Sequence, residues 1–222
     1  MTDIQWELVW SSLGPIVSGA VTGTIPLALT SFVLGLIIAL GVALARISRV
    51  RVLSGAARVY VSIIRGTPLL VQLFVIFYGL PSVGLLIDPW PSAIIAFALN
   101  VGGYAAEVIR AAILSVPVGQ WEAGHTIGMS RGQTLRRIIL PQAARVSVPP
   151  LSNTFISLVK DTSLASLILV TELFRRAEQI ATFSSEFMLL YIEAAVVYWV
   201  ICLALSSGQN ALEKRLDRYV AH

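Results

Sequence analysis

Long apolar runs are the feature that most constrains how this chain of 222 residues can fold. A helix needs about 20 mostly apolar residues to cross a bilayer. Five runs approach that length, although Lys160 and Asp161 interrupt the fourth; they cover about 22–45, 59–80, 92–115, 148–170 and 187–207. With 56% apolar and 13% charged residues, the chain is predicted to be an all-α integral membrane protein with five transmembrane helices, and 1–222 to form a single transmembrane domain.

The basic residues between the apolar runs predict how the chain crosses the membrane. Cytoplasmic loops of membrane proteins carry an excess of Lys and Arg. With the N-terminus outside, the outward loops hold only Arg175 and Arg176, whereas eleven basic residues lie inside: Arg46, Arg49, Arg51, Arg58, Arg131, Arg136, Arg137, Arg145, Lys214, Arg215 and Arg218. We therefore expect an N-out, C-in orientation. The net charge of +4 belongs to this pattern, so no nucleic-acid partner is expected.

The chain shows no internal repeat of the kind that many secondary transporters carry. A five-span chain without such symmetry needs a second copy to enclose a path through the membrane. A two-fold homodimer is the commonest closed arrangement, so a homodimer is expected, and a heterodimer with a related chain is the alternative.

The loop 116–147, between the third and fourth runs, is predicted to lie in the cytoplasm and to hold two short helices. The first covers 122–129, and Ser130 is expected to cap a second that runs through Arg137. Leu140 and Pro141 are expected to end this second helix before the chain re-enters the membrane. Small residues in the first helix would let another backbone approach closely, and Glu122 offers a charge to a basic partner.

This loop resembles the signature of the permeases of binding-protein-dependent ABC importers. That signature reads Glu-Ala-Ala, three residues, Gly, nine residues, Ile, one residue and Leu-Pro, and this chain keeps every spacing. One position departs from it, because Gly124 stands where the family has Ala, at a cost of about 1 kcal/mol within a helix. The resemblance implies a type I ABC importer permease fold in which a set of loop residues couples to an ATPase: Glu122, Ala123, Gly124, Gly128, Arg131, Leu140 and Pro141.

The same resemblance implies the partners of this chain. It predicts a cytoplasmic ABC ATPase dimer, an extracytoplasmic amino-acid-binding protein and a second permease copy, assembled in a bacterial plasma (inner) membrane. The sequence contains no Gly-x-x-x-x-Gly-Lys-Ser/Thr phosphate loop, so ATP and Mg are expected on the ATPase and no cofactor on this chain. His125 has no second His or Cys nearby, so no metal site is predicted. The chain is expected to be a transport subunit and not an enzyme.

Four consecutive polar residues in the fourth run, Lys160, Asp161, Thr162 and Ser163, are candidates for the substrate path. Such a run would break a lipid-facing helix, but it is tolerated where the backbone lines a water-filled cavity or is buried in protein. An amino-acid zwitterion needs an acceptor for its ammonium group and donors for its carboxylate, and these residues supply both. The alternative interpretation is an internal pair that fixes the position of the helix.

Other polar residues within the apolar runs are further candidates for the path: Asn153, Asn100, Gln72 and Glu107. Gln72 could instead form a hydrogen bond between helices. Glu107 and Arg110 stand three residues apart and can pair on one helix face, so an internal ion pair is the alternative there.

Motifs along almost the whole chain are similar to the polar amino-acid permease family of the His, Glu, Gln, Arg and opine group. They are Arg65-Gly-Thr-Pro68, Tyr104-Ala-Ala-Glu107, Gly119-Gln120, Leu140-Pro-Gln-Ala143 and Lys160-Asp-Thr-Ser-Leu164. Within that family the stretches 78–81, 88–93, 119–122 and 149–161 are most similar to the L-cystine permeases, which implies L-cystine as the substrate. The alternatives are another polar amino acid, such as arginine, histidine or glutamine, or an ATP-independent carrier or channel.

Overall fold

The computed structural model describes the backbone of residues 3–217 and the side chains of residues 5–215, so Arg218 lies outside the described residues. All regular structure in this part of the chain is helical, which confirms the predicted all-α class. The α-helices are α1 Asp3–Gly19, α2 Ile25–Arg46, α3 Arg51–Gly66, α4 Leu69–Phe74, α5 Pro89–Ser115, α6 Val118–Thr126, α7 Arg131–Thr134, α8 Leu140–Asp161, α9 Leu173–Ser184 and α10 Phe187–Asp217. Short π-helical segments stand at Ala20–Thr24, Val75–Gly79 and Leu135–Ile139, and 3-10 segments at Leu80–Val83 and Thr162–Ile168.

By length and composition, three helical stretches of the described chain can each cross a bilayer: Gln5–Arg46, Pro89–Ser115 and Phe187–Arg215. Two further spans result if each of two bent pairs counts as one: Arg51–Gly66 with Leu69–Val83, bent by 107°, and Arg131–Ile168 with Leu173–Ser184, bent by 48°. The structure thus contains three to five candidate spans, and the five predicted spans equal the upper number.

The first apolar run belongs to a helix much longer than the predicted 22–45. Helix α1 continues through the π-helical segment Ala20–Thr24 into α2, giving an unbroken stretch of 42 residues. At 1.5 Å per residue this stretch is about 63 Å long, roughly twice the thickness of the hydrocarbon core of a bilayer. Helix α1 packs against α9 and α10 through a separate small core, formed by Ile16, Ala20, Leu173, Ala177 and Ala194.

The second run, predicted as one helix over 59–80, is broken in the structure. Helix α3 ends at Gly66, and the chain bends by 107° before α4. Thr67 is extended, with φ −123° and ψ 145°, because the residue before a proline is excluded from the helical region by the proline ring. The Gln72 side chain bridges the break, since its Nε2 donates to the carbonyl of Ile64 at 2.8 Å and to the hydroxyl of Thr67 at 2.9 Å.

The expectation that Leu140 and Pro141 end the second loop helix was wrong. The chain passes from α7 through the π-helical segment Leu135–Ile139 directly into α8. The backbone N–H of Leu140 donates to the carbonyl of Leu135, one residue further back than in an α-helix. A proline within a helix has no N–H and its ring clashes with the carbonyl four residues earlier, and a π-helical turn beside Pro141 loosens the backbone there.

The main core lies around α5, which packs against α2, α3 and α8. Small residues bring α2 and α5 unusually close together. A β-carbon on Gly35 would lie 2.6 Å from the Val101 side chain, and one on Gly102 would lie 2.7 Å from the Ile38 side chain. Membrane helices commonly associate through such small residues, because close backbone approach increases van der Waals contact. Helix α5 is therefore the central helix of the core, and the polar residues discussed below lie on it or next to it.

Candidate functional site

The loop 116–147 folds into two short helices, and Ser130 caps the second as predicted. The Ser130 Oγ accepts the backbone N–H of Gln133 at 3.3 Å, and the Gln133 Oε1 accepts the backbone N–H of Ser130 at 2.8 Å. This reciprocal pair is a capping box, which satisfies two backbone donors at the start of a helix. The first helix, α6, spans Val118–Thr126 and so begins four residues earlier than the predicted 122.

Gly124 lies at the contact between α6 and α7 and is buried. A β-carbon at this position would lie 2.6 Å from the Thr134 Cγ2 and 2.7 Å from the Thr134 Oγ1. Such distances are far shorter than the about 3.5–4.0 Å at which carbon atoms attract each other. The close approach of α6 to Thr134 therefore accounts for glycine at the one position where this chain departs from the resembled signature.

Most of the other signature residues are exposed. Glu122 and Ala123 on α6 are exposed, and Gly128 is exposed with a φ of +79° that favours glycine. Leu140 is half-buried and Pro141 is exposed. Glu122 forms no ion pair with any residue that the structure describes. Its charge is consequently free to meet another molecule.

The loop is attached firmly to the transmembrane body. The Arg131 guanidinium lies over the Trp121 ring, 5.8 Å from its centroid, in cation–π geometry. Trp121 and Leu135 pack against a small core whose members lie at or just after the C-terminal end of α5 and at or just before the start of α8: Ala112, Ile113, Val116, Ile139 and Ala143. A force applied to the loop would therefore reach α5 and α8 directly.

A polar cleft of about 430 Å³ lies between the break after α3, helix α5 and helix α8. Three segments form its walls: Thr67, Pro68 and Leu69 at the break; Asn100, Val101 and Tyr104 on α5; and Asn153, Thr154, Ser157, Leu158 and Asp161 on α8. Three of the predicted path residues, Asn100, Asn153 and Asp161, thus meet at one site although they lie far apart in the sequence. The Asp161 carboxylate forms no hydrogen bond or ion pair with the described residues.

Gln72 lies beside this cleft and positions Asn100, one of the residues that line it. The Asn100 Nδ2 donates to the Gln72 Oε1 at 3.0 Å, which is the hydrogen bond between helices considered as an alternative. The amide of Gln72 therefore holds the broken segment with its Nε2 and α5 with its Oε1.

The four-residue polar run does not form a single wall. Lys160 and Ser163 line a different groove, together with Tyr191, Tyr198 and Trp199 of α10. Thr162 is buried, and its hydroxyl donates to the carbonyl of Val159 at 2.7 Å. Neighbouring residues on a helix point about 100° apart, so consecutive polar residues cannot all face one cavity. Of this run, only Asp161 lines the cleft.

Glu107 forms an ion pair and is not part of the cleft wall. Its carboxylate binds Arg110 at 3.1 Å, as the spacing predicted, and it also binds Arg46 of α2. Sequence reasoning assigned Arg46 to a cytoplasmic loop and missed this second partner. No local signal could reveal it, because 61 residues separate the two side chains.

Four polar residues of the cleft wall, Thr67, Tyr104, Thr154 and Ser157, were not among the path residues predicted from the sequence. Ser157 carried a usable signal, because Asn153, Ser157 and Asp161 are spaced by four residues each. Residues four apart lie on one face of a helix, and the structure places all three in the same cleft. Thr67 joins them only because the chain bends beside Pro68.

Comparisons with known proteins agree with this architecture. Residues 31–218 match the model of the family described as binding-protein-dependent transport system inner membrane component. The chain is 62% identical to the L-cystine transport system permease protein TcyB of Bacillus subtilis (strain 168), over 99% of this chain and 94% of that protein. It is 36% identical to the glutamine transport system permease protein GlnP of Escherichia coli (strain K12), over 96% of this chain and 98% of that protein.

A solved structure shows the same fold. A chain from the crystal structure of an amino acid ABC transporter with histidines superposes with a TM-score of 0.88 at 33% identity, over 97% of this chain and 99% of that chain. The family match covers the loop signature, the polar cleft, two of the three unbroken candidate spans and the first span from residue 31 onward. This chain therefore belongs to the inner membrane components of binding-protein-dependent transport systems, and it is a membrane permease and not an enzyme.

Proposed function

We propose that this chain is the membrane-spanning permease of an ATP-driven importer of L-cystine. The observation that carries the proposal is the 62% identity to the cystine permease TcyB, which extends over 99% of the chain. A likeness of this extent includes both the cytoplasmic loop and the cleft. It therefore concerns the path of the substrate as well as the general fold.

The polar cleft is the proposed path. Its volume of about 430 Å³ falls within the about 300–1,000 Å³ that is usual for small-molecule sites. The Asp161 carboxylate is an acceptor for a substrate ammonium group, and the amides of Asn100 and Asn153 can donate and accept hydrogen bonds. Gln72 holds Asn100 in place. Asp161 is the member of the polar run that contacts substrate, and Lys160, Thr162 and Ser163 support the end of α8.

The loop 116–147 is the proposed docking element for the ATPase. Its exposed Glu122 and Ala123 form the contact surface, and the close contact between Gly124 and Thr134 keeps α6 fixed on α7. Because the loop rests on the ends of α5 and α8, a movement of the ATPase would be passed to two helices that line the cleft. ATP and Mg are bound by the ATPase, whose closure opens the path outward.

The assembly in this proposal contains two copies of the permease, two ATPase subunits and an extracytoplasmic binding protein, in the plasma (inner) membrane of a bacterium. The orientation is N-out and C-in, because that arrangement puts the basic loops and the docking loop in the cytoplasm. The two permease copies would then be related by a two-fold axis, so that the same surface of each copy forms the interface between them.

Uptake of labelled L-cystine into proteoliposomes tests the proposal. The vesicles contain this permease, its ATPase and its binding protein, and unlabelled arginine, histidine, glutamine and glutamate serve as competitors. We expect uptake that requires ATP and is blocked only by unlabelled cystine. ATP-driven uptake of another amino acid would refute cystine while leaving the importer class intact. Uptake that is indifferent to ATP would refute the importer itself.

A further inference from the structure

Among the described residues that line the polar cleft, none is a cation that could bind the carboxylate of an amino acid. An amino acid carries a carboxylate as well as an ammonium group, and a carboxylate in a desolvated site needs a charged or multiple donor. Asp161 is the one charged residue that lines the cleft among the residues described. Lys160, its neighbour in sequence, lines the separate groove beside α10. A cationic partner for the substrate carboxylate would therefore come from the rim of the cleft.

Arg65 lies at that rim. It stands in the last turn of α3, two residues before Thr67, which lines the cleft. Its guanidinium carbon lies 5.5 Å from the centroid of the Tyr104 ring, and Tyr104 also lines the cleft. Both side chains are exposed. The ring supports one face of the guanidinium, which leaves the N–H groups at its edge accessible.

The charge of Arg65 is not neutralised by a direct partner. Within the described part of the chain Arg65 forms no ion pair. The nearby Glu107 attracts it electrostatically, but that carboxylate is already bound by Arg46 and Arg110. Three guanidinium groups thus surround one carboxylate, and Arg65 is the one without a hydrogen bond to it. The unpaired positive charge of Arg65 beside the cleft favours an anionic group there.

We infer that Arg65 binds the carboxylate of the substrate, while Asp161 accepts from its ammonium group. The inference rests on the proposed function, because it takes an amino acid as the occupant of the cleft. A guanidinium offers two parallel N–H donors that match the two oxygens of a carboxylate. Lysine offers a point charge without that geometry. Arg65 would therefore select amino acids against amines of similar size.

Binding to the purified permease–ATPase complex, without the binding protein, tests this role directly. Labelled L-cystine is compared with labelled cystamine, which has the same disulfide and the same two amines but no carboxylates. Removal of a charge-assisted hydrogen bond is expected to weaken cystine binding by about tenfold or more in Arg65→Gln, with cystamine binding unchanged. Arg65→Lys should recover part of the loss. Asp161→Asn should weaken both ligands, because both carry ammonium groups.

Arg58→Gln is the matched control, because it removes the same charge from the exposed side of the same helix about two turns earlier. It should bind both ligands as the wild type does. Equal losses of cystine and cystamine in Arg65→Gln would show that Arg65 only maintains the structure of the cleft, and unchanged cystine binding would exclude any contact. Either result overturns the inference.

The same experiment separates this inference from the proposed function. If the wild-type complex binds none of the amino acids tested, the role of Arg65 in binding substrate is overturned, whereas the proposed function is judged separately by ATP-driven uptake in proteoliposomes that contain the binding protein. If the complex binds another amino acid instead of cystine, that amino acid and its decarboxylated amine replace the two probes. A selective loss of the amino acid in Arg65→Gln would then support Arg65 although cystine is refuted.

Discussion

Gly124 and Thr134 are packed so closely that a β-carbon on residue 124 would lie 2.6 Å from the Thr134 Cγ2. This contact joins α6 and α7, the two short helices of the loop 116–147. It also explains why position 124 is glycine, although glycine within a helix is less favourable than alanine by about 1 kcal/mol. The glycine is required by the neighbouring helix, and its cost in propensity is offset by close packing.

Gly124→Ala should therefore impair the loop even though alanine favours helix formation. We expect a loss of about 1–3 kcal/mol in loop packing, as for other overpacked contacts, and a corresponding fall in ATP-driven uptake. Gly119→Ala is the control, because it lies in the same helix with no atom within 4 Å of the added carbon. It should leave uptake unchanged. Restored uptake in Gly124→Ala combined with Thr134→Ala would confirm the steric cause, and normal uptake in Gly124→Ala alone would contradict it.

Glu122→Arg should abolish ATP-driven uptake without unfolding the permease. Glu122 is exposed and unpaired among the described residues, and substitutions at such positions usually change the free energy of unfolding by less than about 0.5 kcal/mol. The expected defect is therefore one of contact with the ATPase, measured by copurification and by uptake in proteoliposomes. Glu122→Gln, which removes the charge without reversing it, should give a smaller defect. Normal uptake by Glu122→Arg would show that this residue does not dock the ATPase.

Asp161→Asn should reduce transport by about tenfold or more while leaving copurification of the ATPase intact, because it removes a charged acceptor from the cleft. Lys160→Gln should have a much smaller effect, since Lys160 lines the groove on the other side of α8. Initial uptake rates of the two variants in proteoliposomes provide the comparison. If both variants lose transport and ATPase association to the same extent, the pair is structural and the assignment of the path is wrong.

Gln72→Ala should destabilise the broken helix as well as the cleft. Its side chain donates to the Ile64 carbonyl and accepts from Asn100, so we expect a loss of about 1–3 kcal/mol from the unsatisfied partners. Thermal unfolding of the purified complex measures the effect. In a double-mutant cycle, Gln72→Ala and Asn100→Ala should be non-additive, because their side chains share one hydrogen bond. Strictly additive losses would mean that the two amides do not interact in solution.

The local features of this chain could be predicted from local spacing. Ser130 caps the second loop helix as expected, with Gln133 as its reciprocal partner, and Glu107 pairs with Arg110 one turn away. The all-helical class followed from the apolar runs, and the family followed from the loop signature. The cap and the ion pair each join groups within a few residues of one another, so the geometry of a single helix or turn is sufficient to predict them.

The two errors in the predicted helix boundaries, near Pro68 and near Pro141, also had a local cause, which hydropathy does not reveal. The break at Thr67 and Pro68 and the π-helical turn before Pro141 both arise from the proline ring. The sequence showed both prolines. Hydropathy alone, however, does not distinguish a proline that bends a helix by 107° from one that leaves the chain helical.

The sequence by itself determined that this chain is an all-helical membrane permease with a two-helix loop that carries the family signature, because hydrophobic length and short-range spacing specify such features. Only the tertiary structure decided which polar residues meet. It separated Lys160 from Asp161, brought Arg46 to Glu107 and placed Arg65 beside Tyr104 at the rim of the cleft. These relationships depend on how helices distant in sequence rotate and pack against one another, and no pattern within a single helix contains that information.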